Sequence, residues 1–119
     1  MRVIRVAQAG RKPNRGDIFV GEVLSQMIVG DEVSQLRLNE VTFLHGARNR
    51  LHVHSTDQIL VVTAGEGIVA DEREKHEISA GDVAFIPVGE RHWHGAQPGH
   101  DMTHWSITGR AETEIVDGA

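Results

Sequence analysis

The sequence predicts an all-β fold, a sandwich or barrel closed within one domain. Three observations carry this. Short β-prone runs recur at near-regular spacing, glycine, proline and aspartate punctuate them, and no stretch holds helical periodicity over three turns. Many short strands with turn signals between them suit a closed or two-layered β architecture. The 119-residue length suits a single domain and is enough to bury a core.

The elements follow in order. Residues 3–6 read as a first strand and 7–16 as a loop. Residues 18–20 and 22–29 are strands, ended by Gly30-Asp31. Residues 35–43 alternate, with Asn39, Val41 and Phe43 on one side. Strands at 50–54 and 58–63 flank a turn through Ser55–Asp57, in which Asp57 is a turn residue. Gly65-Glu66-Gly67 reads as a further turn before a strand at 67–70. Strands at 77–79, 82–86, 91–95 and 103–107 are separated by Ala80-Gly81-Asp82, Pro87-Val88-Gly89 and Pro98-Gly99. Residues 115–119 read as a loose tail.

Composition removes several function classes. With no cysteine, disulfides, thiolate metal sites and a cysteine nucleophile are excluded. A net charge of −5 argues against electrostatic nucleic-acid binding, and with no tyrosine and 4% aromatics no base-stacking platform is evident. The basic residues near the start (Arg2, Arg5, Arg11, Lys12, Arg15) precede no long apolar run, so neither a signal peptide nor a membrane span is expected. The expectation is a soluble cytoplasmic protein with no nucleic-acid or membrane partner.

The residues that carry chemistry are His52, His54, Gln58 and His92. On a strand, positions two apart face the same way, so His52 and His54 can reach one ion. His92 must come from a neighbouring strand. Three imidazoles imply a transition metal (Mn, Fe, Co, Ni, Cu or Zn) rather than Ca or Mg. Gln58 could add a carbonyl oxygen, or contact only a bound water. The surrounding glycines and Pro87 turn tight corners between the strands that carry these residues.

The spacing around these residues resembles the cupin superfamily. Gly46, five residues, His52-x-His54, three residues, Gln58, six residues and Gly65 match the first cupin motif. Gly81, five residues, Pro87-x-Gly89, two residues, His92, three residues and Ala96 match the second. Two identities depart: Gln58 stands where most cupins have Glu, and Ala96 where they have Asn. The resemblance implies a double-stranded β-helix, a jelly roll, over residues 1–119. It sets the barrel at about 35–110, an N-terminal strand and loop at 1–30 and a short tail at 111–119. It also implies that His52, His54, Gln58 and His92 hold one divalent transition metal per chain. Mn and Fe are favoured; Ni, Co and Zn are open.

Further segments, Gln58-Ile-Leu-Val-Val-Thr-Ala-Gly65, Gly89-Glu-Arg-His92-Trp-His94-Gly-Ala-Gln-Pro and Met102-Thr-His104, are similar to small cupins grouped with carboxymuconolactone decarboxylase-like proteins. That group includes bacterial manganese-dependent hydroxynitrile lyases, which also use Gln at the fourth ligand position. The resemblance implies that His104 acts near the metal as acid or base. By alternation alone either face of its strand could point inward. Asn39, Val41, Phe43 and His94 are expected to line a substrate pocket. Arg50 shares the parity of His52 and His54 and could meet an anionic substrate, or sit in water at the barrel mouth. His45, His76 and His100 read as solvated, and Trp93 and Trp105 as packing anchors.

The leading functional expectation is a metal-dependent enzyme acting on a small oxygen-bearing molecule by Lewis-acid and acid/base chemistry. Its sharpest form is a carbon–carbon lyase of the hydroxynitrile or decarboxylase type. A cupin dioxygenase and a non-enzymatic small-molecule binder are the rivals. A homodimer is expected, because short jelly rolls expose sheet edges; residues 3–6 are the candidate for pairing across it.

Overall fold

The computed structural model describes residues 1–30 and 34–117. After a single 3₁₀ turn, Gln8–Gly10, the regular elements are β1 Lys12–Pro13, β2 Phe19–Val20, β3 Val23–Val29, β4 Arg37–Phe43, β5 Arg48–Asn49, β6 His52–His54, β7 Gln58–Ala70, β8 Lys75–Ser79, β9 Val83–Ile86, β10 Trp93–Ala96, β11 Met102–Thr108 and β12 Thr113–Ile115. The all-β expectation holds. One sheet curls through β1-β3-β4-β11-β7-β10-β5-β2, with β8 and β9 also paired to β7, and a small ribbon joins β12 to β6. This is the jelly roll.

β7 is the spine of the curl and corrects the sequence reading. Residues 58–63 and 67–70 are one strand rather than two, and Gly65-Glu66-Gly67 bends it without ending it. Before the bend β7 pairs with β11 and β9; after it, with β10 and β8. Gly65 sits at φ +81°, and a Cβ there would run into the Asp101 carbonyl. Glycine can turn the strand at that point while Glu66 N–H still finds Asp101 O at 3.1 Å. Opposite the bend, the β11 register slips between Thr103 and His104.

Other expectations shift. Residues 3–6 form no strand, and residues 1–10 are all exposed. Among the described residues no strand pairs with them. The expected loop at 7–16 contains the 3₁₀ turn and β1. The strand at 50–54 splits, since Arg50 and Leu51 lie between β5 and β6. Ile115, expected in the tail, ends β12, which pairs Thr113 with His54 and Ile115 with His52; Val116 N–H then bonds Leu51 O. Asp31 of the expected Gly30-Asp31 turn lies outside the described residues, as do 118–119 of the tail.

Alternation places the core. Along β7, Gln58, Leu60 and Val62 are buried while Ile59 and Thr63 are exposed. Val23, Val41, Phe43, Ala47, Val62, Ile78, Ala96 and Met102 form one cluster inside the curl. Phe43 meets Phe19 edge to face at 6.1 Å. The histidines occupy the other part of the same interior.

Candidate metal centre

β6 delivers His52 and His54, the start of β7 delivers Gln58, and the segment before β10 delivers His92. His52 and His92 exchange both backbone hydrogen bonds, at 2.9 and 3.0 Å, which places their side chains together. One ring nitrogen from each of His52, His54 and His92 lies within 4.8 Å of the others, close enough that the three could hold one ion. Asp57 ties the loop before Gln58 to the loop before His92: its Oδ1 accepts the Val88 N–H at 2.8 Å.

Hydrogen bonds set which nitrogens face inward. A carbonyl can only accept, so Nδ1 of His52 donates to Arg50 O at 2.6 Å and Nδ1 of His92 donates to Glu90 O at 2.9 Å. In a neutral imidazole this leaves Nε2 as a lone pair. His54 is bonded through Nδ1 to the Thr113 hydroxyl at 2.8 Å, and its buried Nε2 has no partner. Gln58 donates its amide N–H to Ser106 Oγ at 2.8 Å, which turns Oε1 to within 3.1 Å of His92 Nε2.

These atoms fit a metal ion. His92 Nε2 and Gln58 Oε1 are both electron-pair donors, and facing each other they repel. Their separation is about that of neighbouring donors on one ion with bonds of roughly 2.1 Å. The orphaned Nε2 of His54 is explained the same way, since a buried polar atom without a partner is costly. Burial, reinforced by the neighbouring imidazoles, pushes His52 down to about 3 and His54 down to about 4. His92 is also lowered by burial. All three are therefore neutral at pH 7 and free to ligate.

Behind this cluster lies a second pair. The His94 ring stacks on His92 with centroids at 5.5 Å, and His94 Nδ1 meets His104 Nε2 at 2.9 Å. Asn49 anchors His94 by accepting its backbone N–H at 2.8 Å, and its amide nitrogen lies 3.3 Å from the ring Nε2. His104 points inward, wholly buried, against Phe43 at 5.3 Å. Its Nδ1 is buried without a partner. Burial pushes His104 down to about 4 and His94 well below its ordinary value. One proton is shared along the His94–His104 contact. Depending on which ring carries it there, His104 Nδ1 is either a bare base or an unspent donor.

A cavity of about 380 Å³ opens beside the cluster, and His54, Gln58, Asn39 and Ser106 line it. Of the residues expected to face substrate, Asn39 is in this lining; Val41, Phe43 and His94 are buried outside it. A larger cavity of about 440 Å³ touches only His92 of the four expected ligands. His45, His76 and His100 are exposed, as expected. Arg50 is half-buried and ion-paired to Asp117 at 2.7 Å rather than free in water. Trp105 donates to buried Glu40 at 3.1 Å, and Arg48 and Lys75 cover Trp93. Sequence reasoning missed Asn49, Thr113 and the orienting role of Ser106. Only Ser106 left a signal, its shared parity with His104.

The profile of the Cupin domain family matches residues 39–118. The chain belongs to the cupin family. This cupin is 36% identical over 119 residues to an (R)-mandelonitrile lyase of Granulicella tundricola, covering 98% of this chain and 91% of that one. Among solved structures it is similar to a cupin-like protein of Thermotoga maritima (TM-score 0.83, 34% identity, 87% of this chain and 83% of that chain). The polyketide cyclase RemF of Streptomyces resistomycificus shares the fold at a TM-score of 0.79 and 16% identity, over 98% and 89% of the two chains. Among the described residues, no helix is long and apolar enough to cross a membrane.

Proposed function

We propose that this cupin is a metal-dependent enzyme acting on a small oxygen-bearing molecule, and that His52, His54, Gln58 and His92 hold one divalent transition ion, Mn or Fe first. The observation that carries it is the convergence of four uncharged donor atoms with no other partner for their lone pairs. When bound, such an ion supplies Lewis-acid polarisation of a carbonyl, hydroxyl or nitrile. Gln58, unlike a glutamate, adds no charge, so the donor set leaves that polarising power undiminished.

His104 and His94 move the proton. Both are held neutral by burial, and the one unpartnered atom of the pair is His104 Nδ1. A buried imidazole that cannot charge readily at rest is a receptive base only when a developing opposite charge accompanies the transfer. The similarity to a mandelonitrile lyase supports cyanohydrin cleavage as the reaction type. There the hydroxyl proton leaves to the base, the carbon–carbon bond pair departs with cyanide, and the proton returns to it. Asn49 keeps His94 in line throughout.

The test is an assay for cyanohydrin cleavage and synthesis under argon, on protein loaded with Mn or Fe. Turnover undiminished without oxygen is expected. Strict oxygen consumption would point to a dioxygenase instead, and tight ligand retention with no conversion to a binding module. His104→Ala should lose at least about a hundredfold in rate, the usual scale of an acid/base residue, while keeping its metal. Unchanged turnover would remove that role.

The exposed apolar residues Val3, Ile4 and Val6, together with Val83 and Phe85 on β9, support a homodimer in which the N-terminal segment pairs across the interface.

A further inference from the structure

The cavity beside the cluster carries a charge pattern that runs against the rest of the chain. Asp and Glu outnumber Lys and Arg by 17 to 12 overall. Yet among the described residues the lining of this cavity contains Arg37 and Arg110 and no acidic residue. The other large cavity is the reverse, with Asp71, Glu77, Asp82 and Glu90 in its wall and no Lys or Arg.

Neither Arg37 nor Arg110 has an acidic partner among the described residues, whereas Arg11 is paired with Glu40 and Arg50 with Asp117. Arg37 is half-buried, and its placement is built. One terminal nitrogen, Nη1, donates to Ser34 O at 2.9 Å and Leu36 O at 3.0 Å. Those bonds tether the guanidinium, and among the described residues Nε and Nη2 have no hydrogen-bond acceptor.

The sheet register connects this arginine to the cluster. Arg37 lies opposite Thr108, and Thr108 lies opposite Gln58. The three form a row across β4, β11 and β7, so the Arg37 and Gln58 backbones are roughly 10 Å apart. The guanidinium is tethered at the Arg37 end of this row, in the lining of the cavity that Gln58 also lines. Gln58, being neutral, places no repelling charge at the far end of the row. A ligand seated here would meet hydroxyls and amides along its length and guanidinium at one end. That pattern fits a planar oxyanion, which guanidinium holds through paired N–H donors.

We infer that the substrate is a small organic carboxylate, with its reacting carbonyl or hydroxyl toward Gln58 and its carboxylate held by Arg37 and Arg110 at the cavity rim. The inference rests on reading the histidine cluster as the reacting end. Arg37 is the specificity residue and Arg110, exposed, adds to the field.

The experiment is calorimetric titration of the protein, metal-free and metal-loaded, with 4-oxopentanoate and with its neutral amide. The acid should bind at least about tenfold more tightly than the amide, the scale of one charge-assisted hydrogen bond. In the Arg37→Met/Arg110→Met variant the two should bind alike, with metal uptake unchanged. Arg37→Lys should keep part of the preference, which guards against a folding artefact. Equal binding of acid and amide to the unaltered protein would overturn the inference. So would a preference that survives in the double methionine variant, since the carboxylate would then be held elsewhere. A preference seen on protein that takes up no metal would uphold the anion site while defeating the metal-dependent reading.

Discussion

At the residue scale, the site depends on side chains that aim other side chains. His52 and His54 were legible because strand parity alone puts them on one face. Which nitrogen each presents was not, because that is decided by carbonyls at Arg50 and Glu90 and by a hydroxyl from β12. Gln58 is the clearest case: its spacing is visible in the sequence, but its oxygen faces His92 only because Ser106 takes the amide N–H. Ser106→Ala should therefore weaken metal affinity by roughly 10- to 100-fold with the fold intact, as loss of an orienting partner does. Competition with a fluorescent chelator measures this, and unaltered affinity would mean that the amide needs no guide.

The same buried imidazoles govern acid stability. His104 titrates near 6.5 when unfolded and is pushed down to about 4 by burial when folded. Above pH 6.5 both states are neutral and nothing is lost. Between 6.5 and about 4 the unfolded chain binds a proton that the folded chain refuses, so stability falls as pH falls. For His104 alone the loss is on the order of 3 kcal/mol. Denaturant titrations of the metal-free protein should show it, with a shallower pH slope in His104→Phe. A flat profile across that range would contradict the buried, neutral assignment.

At the element scale, β7 organises the molecule. Its two halves read as separate strands because Gly65-Glu66-Gly67 carries every local signal of a turn. What overrides that signal is pairing on both sides by β11, β9, β10 and β8, which keeps the chain extended through the bend. Local sequence does not report such partners, and for the same reason β12 was missed: three residues in a polar tail become a strand only beside β6. Gly65→Ala should destabilise the fold by more than about 1 kcal/mol, since it adds both a strained φ and an atom where Asp101 O lies. Chemical denaturation gives the value; a neutral substitution would mean the bend relaxes freely.

At the scale of the whole molecule, the jelly roll sets the histidine cluster in its interior and leaves several large apolar side chains exposed outside. Phe85 and Val83 are 62% and 63% exposed on β9, and Val3 is 72% exposed on a segment that pairs with no strand among the described residues. The sequence reading of residues 3–6 as a strand has physical meaning only if a second chain provides the edge. Sedimentation should give a dimer at micromolar concentration, and Phe85→Glu should shift it toward monomer. A monomer for the unaltered protein would leave that surface unexplained.

The proposed chemistry depends on the four-donor metal centre. Its most direct measurement is anomalous scattering from crystals of protein purified without chelators, with elemental analysis of the same preparation. About one divalent transition ion per chain is expected, with its anomalous peak bounded by His52, His54, Gln58 and His92. Less than about a tenth of an equivalent of any transition metal, even after reconstitution, or a peak away from these residues, would contradict it.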